Sequence, residues 1–251
     1  MITDPFFYAI AIPAVFLLGL SKSGFGAGFG SLTVPLMALA VPVPQAAAIL
    51  VPVLFVLDLL GLHAWRRHFD WPLIRFLLPF GLLGTAIGTA LFTLLDSRLV
   101  AGIVGVFTLL FLAQRVMFPS RPDSAPPPRW LGGVLTTVAG FTSFIAHAGG
   151  PPLNAYALKL RLAPAVYTAS MAMFFFTVNV AKWGPYAWLG LLDARNLATS
   201  AALLPLSPIG VWVGVRIAHR LDPVLFYRLI DAGMLLTGCK LVWDGFLSGR
   251  I

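Results

Sequence analysis

Ten stretches of this chain are apolar almost without interruption: 5–20, 24–41, 44–64, 72–95, 99–118, 130–147, 151–162, 164–190, 196–218 and 223–247. No other feature of the sequence restricts its fold as much. A bilayer core is crossed by roughly 20 helical residues, and inside it every backbone N–H and C=O must find a partner within the protein. Six stretches (44–64, 72–95, 99–118, 164–190, 196–218 and 223–247) are long enough to cross as single helices. The other four are short or interrupted by Gly and Pro. Charged residues make up only 10% of the 251, against about 25% in a soluble domain, too few to cover a globular surface. A membrane β-barrel would alternate apolar and polar residues, and these runs do not. The expectation is an all-α integral membrane protein.

The net charge of +8 would suggest a nucleic-acid partner in a soluble protein. Here it predicts cationic loops on the cytoplasmic side and no nucleic acid. All nine acids are Asp. The single cysteine, Cys239, excludes an intrachain disulfide and a cysteine-based metal cage. His63 and His68, close to Arg66, read as an ordinary loop rather than a metal site. The first apolar run has no basic segment before it, so no cleavable signal is expected. Read from Gly24 or Gly26, the last glycine of a dinucleotide fingerprint falls on Phe29 or Ser31, so no nucleotide cofactor is predicted. No His, Asp or Ser groups converge in the sequence as an enzyme's would, and the chain is read as a non-enzyme.

The segment 119–129, rich in Pro and Arg, is the only linker, and it divides the chain near its middle. Shifted by 126, Leu77, Leu78, Pro79, Gly84, Gly88, Leu95, Asp96 and Leu99 meet Leu203, Leu204, Pro205, Gly210, Gly214, Leu221, Asp222 and Leu225. Upstream, a shift of 121 brings Gly28 onto Gly149, Leu32 onto Leu153 and Asp58 onto Asn179. The reading is a first repeat over 1–118, a cytoplasmic linker over 119–129 and a second repeat over 130–251. Repeats with an odd number of crossings are inverted. With the N-terminus outside, eleven Lys and Arg fall at the cytoplasmic face and five (Arg98, Lys182, Arg195, Lys240 and Arg250) outside, as the positive-inside rule requires. Both termini are then periplasmic.

Each half opens with a Gly-interrupted stretch: 21–30 in the first, 147–152 in the second. Both read as broken, re-entrant helix hairpins whose tips reach the interior, each followed by three full transmembrane helices. Matching interruptions in two halves point to a transporter's substrate site, and helix N-termini aimed there favour an anion. The expected ligands are Ser21, Lys22 and Ser23, the amides around Gly28, Phe29 and Gly30, the Thr33 hydroxyl, the amides around Gly149, Gly150 and Leu153, and Asn154 and Tyr156. Asp58, His147 and Asn179 are the candidates for proton coupling or gating, with an Asp58–Asn179 hydrogen bond as the structural alternative. Asp96 and Asp222 read as helix caps, the paired Gly84/Gly88 and Gly210/Gly214 as close helix crossings. Trp65, Trp71, Trp130, Trp183, Tyr186 and Trp188 read as interface anchors.

The run 24–35 (Gly-Phe-Gly-Ala-Gly-Phe-Gly-Ser-Leu-Thr-Val-Pro), with Pro44-Gln45-Ala46-Ala47 after it, resembles the first-repeat signature of the TauE/SafE sulfite exporter (TSUP) family of membrane transporters. Gly149-Gly150-Pro151-Pro152 followed by Tyr156 looks like its second-repeat signature. The resemblance implies a bacterial inner-membrane transporter for sulfite, thiosulfate or an organosulfonate such as sulfoacetate. The leading expectation is therefore a secondary active transporter of a small sulfur-containing anion, proton-coupled and working by alternating access. A gated anion channel of the same architecture is the alternative. The lipid bilayer and the anion are the expected partners, no cofactor or metal is expected, and a homo-oligomer is left open.

Overall fold

A computed structural model describes residues 1–22, 30–92, 94–117, 127–217 and 223–248. Among the described residues the regular elements are helical: α1 Pro5–Lys22, α2 Gly30–Met37, α3 Val43–Trp65, α4 Trp71–Phe92, α5 Ser97–Met117, α6 Arg129–Ala146, α7 Gly150–Ala157, α8 Pro164–Trp188, α9 Ala194–Leu203, α10 Leu206–Ile217 and α11 Pro223–Val242. A 3-10 turn at Leu158–Leu160 follows α7, and a π turn at Trp243–Leu247 follows α11. Proline in the first turn starts α3, α7 and α8, where its missing N–H costs nothing. Aspartates cap others: Asp70 accepts from Leu73 N at 3.0 Å, Asp96 from Leu99 N at 2.7 Å and Asp193 from Asn196 N at 2.6 Å. Asp222 lies outside the described residues.

Six stretches of helix are long and apolar enough to cross a membrane: Pro5–Lys22, Val43–His63, Trp71–Phe92, Ser97–Gln114, Pro164–Trp188 and Ala194–Val213. The chain is a multi-pass membrane protein. The set differs from the expected one in that Pro5–Lys22 joins it and the run at 223–247 drops out, its helix α11 carrying Arg228, Asp231 and Lys240, while the run at 196–218 stays but is interrupted. The run at 5–20 is not short, because α1 continues through Ser21 and Lys22 to eighteen residues. The run at 196–218 is not one helix, because α9 stops at Leu203 and α10 starts at Leu206. Pro205 falls in that gap, where it has no N–H to continue the ladder.

α3 lies at the centre, with 56% of its span buried against 28–39% for the others. Its side chains from Ala46 to Val51 are buried without a break, as expected of a helix that is apolar all round. α3 packs on α8, α1 on α10, α4 on α6, and α5 on α11. Glycines set two of these crossings. A Cβ on Gly84 would stand 1.9 Å from the Thr137 carbonyl oxygen, and one on Gly140 would stand 2.0 Å from that of Gly81. On the other side, a Cβ on Gly210 would stand 2.5 Å from the Phe16 oxygen, and one on Gly19 would stand 2.3 Å from that of Ser207. The same two shifts, 121 and 126, carry one set of contacts onto the other.

Three residues are not where the sequence reading puts them. Lys182, assigned to the outer face, is wholly buried. It lies six residues before the end of α8 and points inward with Asn179, one turn earlier. Without it the charge split is eleven to four, in the same direction. Tyr186 is no interface anchor: it is fully buried and donates to the Phe144 carbonyl at 2.6 Å. Trp183 packs edge-on against Phe55, with its indole N–H buried and unpartnered. Trp65, Trp71, Trp130 and Trp188 are exposed.

Candidate functional site

Beside the α3–α8 contact lies a cavity of about 520 Å3. α1 ends at it with Ser21 and Lys22, α2 begins at it with Gly30 and Ser31, and α7 begins at it with Gly150. Asp58 of α3 and Asn179 of α8 line one wall, with His147 from the α6–α7 break. Asn154, Tyr167, Met171 and Phe175 line another, and Trp65 and Thr168 lie toward the end of α3 and the start of α8.

Lys22 is the one lysine or arginine, and Asp58 the one carboxylate, among the described lining residues. They pair at 2.8 Å, with 31% of the Lys22 side chain exposed and only 1% of that of Asp58. The second oxygen of Asp58 accepts from Asn179 Nδ2 at 2.5 Å. The paired carboxylate is thus held from both halves of the chain, and burying a charge unpaired would cost far more.

The network continues behind the wall. Lys182 Nζ donates to Asn179 Oδ1 at 2.8 Å, to the Ser143 carbonyl at 2.6 Å and to Ser143 Oγ at 2.8 Å. It also stands 3.1 Å from His147 Nδ1. His147 Nε2 lies 2.9 Å from the Ala47 carbonyl. That geometry depends on the backbone at the break. His147 ends α6 in the left-handed region, φ 51°, and its N–H returns to Ser143 O. This is the αL stop usually made by glycine. A non-glycine residue held there marks a position that the surrounding contacts impose.

The predicted ligands divide into three groups. Ser21, Lys22, Gly30, Gly150 and Asn154 line the cavity, as do Asp58, His147 and Asn179. Asn154 is engaged, accepting from the Tyr167 hydroxyl at 2.5 Å. Ser23, Gly28 and Phe29 lie outside the described residues. Thr33, Gly149, Leu153 and Tyr156 are not lining residues. Thr33 is buried with its hydroxyl unpartnered. Gly149 lies against α6, where a Cβ would stand 2.6 Å from the Ala139 oxygen. Leu153 and Tyr156 belong to an apolar cluster with Leu77 and Phe174. The start of α7 is also poorer in donors than expected. A helix leaves its first four N–H groups unpaired, but Pro151 and Pro152 have none, and Leu153 N returns to Gly149 O.

Sequence reasoning missed Tyr167, Ser143 and Lys182. The signal for Lys182 was present: Asn179 and Lys182 are three apart, on one face of a helix. On the side away from Trp65, contacts cross between halves: Ile2 N donates to Thr199 Oγ1 at 2.9 Å, and three more follow. Gln45 donates to Asn196 Oδ1 at 2.9 Å, Ser200 to the Ile49 carbonyl at 2.7 Å, and His147 meets Ala47.

The model of the family described as sulfite exporter TauE/SafE matches residues 11–241, all but ten residues at each end. No curated protein and no solved structure matches the chain.

Proposed function

Because the chain belongs to the sulfite exporter TauE/SafE family, we propose that it is a secondary active transporter that moves a small sulfur-containing anion across the bacterial inner membrane by alternating access, coupled to protons. The anion is sulfite, thiosulfate or an organosulfonate such as sulfoacetate. One observation carries the reading: a half-exposed lysine stands in a cavity at which two short interior helices, α2 and α7, both begin. Helix starts and a cation together favour an anion.

The architecture is read as two inverted repeats, 1–118 and 130–251, joined by a cytoplasmic linker, with both termini periplasmic. Each repeat opens with a re-entrant hairpin, α1–α2 and α6–α7. The exchange of glycine contacts between α1–α10 and α4–α6 supports this. So does the pairing of Asp58 with Asn179, which the 121 shift superposes. In that topology the cavity reaches toward the cytoplasm through Trp65 and Thr168, and the Gln45–Asn196 and Ser200–Ile49 contacts close the periplasmic side. Asp58 and His147 are the proposed proton carriers.

The test is flux of sulfite, thiosulfate, sulfoacetate and sulfate into liposomes holding the purified protein, under an imposed pH gradient. The expected result is saturable, gradient-driven uptake of one anion, lost in Lys22→Ala. Uptake indifferent to Lys22→Ala overturns the site, and ohmic currents without saturation identify a channel. Gly149→Leu is a poor probe, since its side chain would collide with α6.

A further inference from the structure

The buried network beside the cavity holds one charge more than its partners neutralise. Lys22 and Asp58 cancel each other. Lys182 lies behind the wall, wholly buried, touching the lining residues Ser143, His147 and Asn179. Among the described residues, none of its hydrogen-bond partners is a carboxylate.

The direction of each hydrogen bond fixes the protons. Asn179 gives its amide hydrogens to Asp58, so its oxygen is what faces Lys182. The Ala47 carbonyl only accepts, so His147 Nε2 carries a hydrogen. If Nδ1 is bare, Lys182 must donate to three acceptors: the Ser143 carbonyl, Asn179 Oδ1 and His147 Nδ1. Only an ammonium has three hydrogens. If Nδ1 is protonated instead, it donates to a neutral amine, whose two hydrogens serve Ser143 and Asn179. Both arrangements leave the Lys182–His147 pair with one positive charge. A neutral pair leaves the amine only two hydrogens for these three acceptors, so one acceptor faces its nitrogen unpaired. The undescribed segment 23–29 contains no ionisable side chain to cancel it.

A buried charge without a counter-ion is costly, and an anion in the cavity supplies the counter-ion. We propose that Lys182, acting through His147 and Asn179, sets the charge of the substrate: the site takes a monovalent anion, hydrogen sulfite among the candidates above, and a divalent one such as thiosulfate or sulfoacetate leaves it with a negative charge in excess. Lys182 is a positioning residue that does not touch the anion. The inference rests on the cavity being the anion site.

The test measures dissociation constants of the full-length protein for a monovalent sulfonate, methanesulfonate, and a divalent anion, thiosulfate. The quantity read is their ratio. Lys182→Met lowers the site's charge by one and weakens methanesulfonate binding about tenfold or more, while Lys182→Arg retains it. Asp58→Asn raises the charge by one and moves the ratio toward thiosulfate by a similar factor. The double variant Asp58→Asn/Lys182→Met returns the ratio toward that of the wild type, which a packing role for Lys182 does not predict. If Lys182→Met fails to fold, Lys182→Gln decides, since it removes the same charge while keeping hydrogen-bond donors for Ser143 and Asn179. An unchanged ratio in either folded single variant, with binding still dependent on Lys22, overturns this inference and leaves the anion site standing. Wild-type protein that binds neither anion overturns both.

Discussion

The two halves use the same positions for different charges. The shift of 121 carries Lys22, Asp58 and Gly61 onto Ser143, Asn179 and Lys182. In the first half the lysine closes α1 and faces the cavity, while glycine occupies the α3 position. In the second half the small residue is on α6 and the lysine is on α8, behind the wall. Between them the acid and the amide meet. One scaffold thereby holds an accessible cation and a sequestered one around a single carboxylate. Trp65 and Tyr186, also 121 apart, differ in the same sense. Trp65 stands at the cavity, whereas Tyr186 is sealed against Phe144. Matching positions in the sequence thus coexist with opposite exposure of their side chains.

The largest expected effect sits at the acid–amide pair. Asp58→Ala leaves Lys22 without its carboxylate and Asn179 without its acceptor and should cost about 3–5 kcal/mol, read as a fall in thermal unfolding temperature in detergent. Asn179→Ala, at the matching position, removes two hydrogen bonds but no charge and should cost about 1–3 kcal/mol. Equal losses would break the comparison.

The helix crossings come next. Gly84→Ala pushes a methyl group to within 1.9 Å of a backbone oxygen, whereas the matching Gly210→Ala meets one at 2.5 Å. Overpacking should cost about 3 kcal/mol at the tighter site and about 1 kcal/mol at the looser, measurable by the same unfolding assay. A reversed order would mean that the α1–α10 crossing is the less yielding of the two.

The smallest effect separates the aromatic pair. Tyr186→Phe loses a buried hydrogen bond and should cost about 1 kcal/mol. Trp65→Phe, at an exposed position, should stay within about 0.5 kcal/mol. A larger loss at Trp65 would indicate that it seals the cavity in solution.

Much of this organisation is legible along the chain. The glycine spacing that marks Gly84 and Gly210 corresponds to real backbone crossings, because only a missing Cβ lets two helices approach so closely. The Asp58–Asn179 bond follows from two polar residues at matching depth in apolar spans, where each needs a partner. Lys182 was harder to place. Counting from the end of an apolar run puts it near an interface, while the helix face it shares with Asn179 turns it inward. Tyr156 failed for a related reason: being one turn past a break says nothing about which neighbour is small enough to receive the ring, and Gly132 receives it.

The amino-acid pattern alone determined that the chain lies in a membrane as helices, that α6 stops before Gly149-Gly150-Pro151-Pro152, and which positions match under the two shifts. These follow from local rules: apolar run length, the missing N–H of proline and the missing Cβ of glycine. The tertiary structure alone decided which polar groups meet. The Lys22–Asp58–Asn179–Lys182–His147 network joins four helices, α1, α3, α6 and α8, that are far apart in sequence. Hydrogen-bond direction and charge balance exist only once those groups share one buried space.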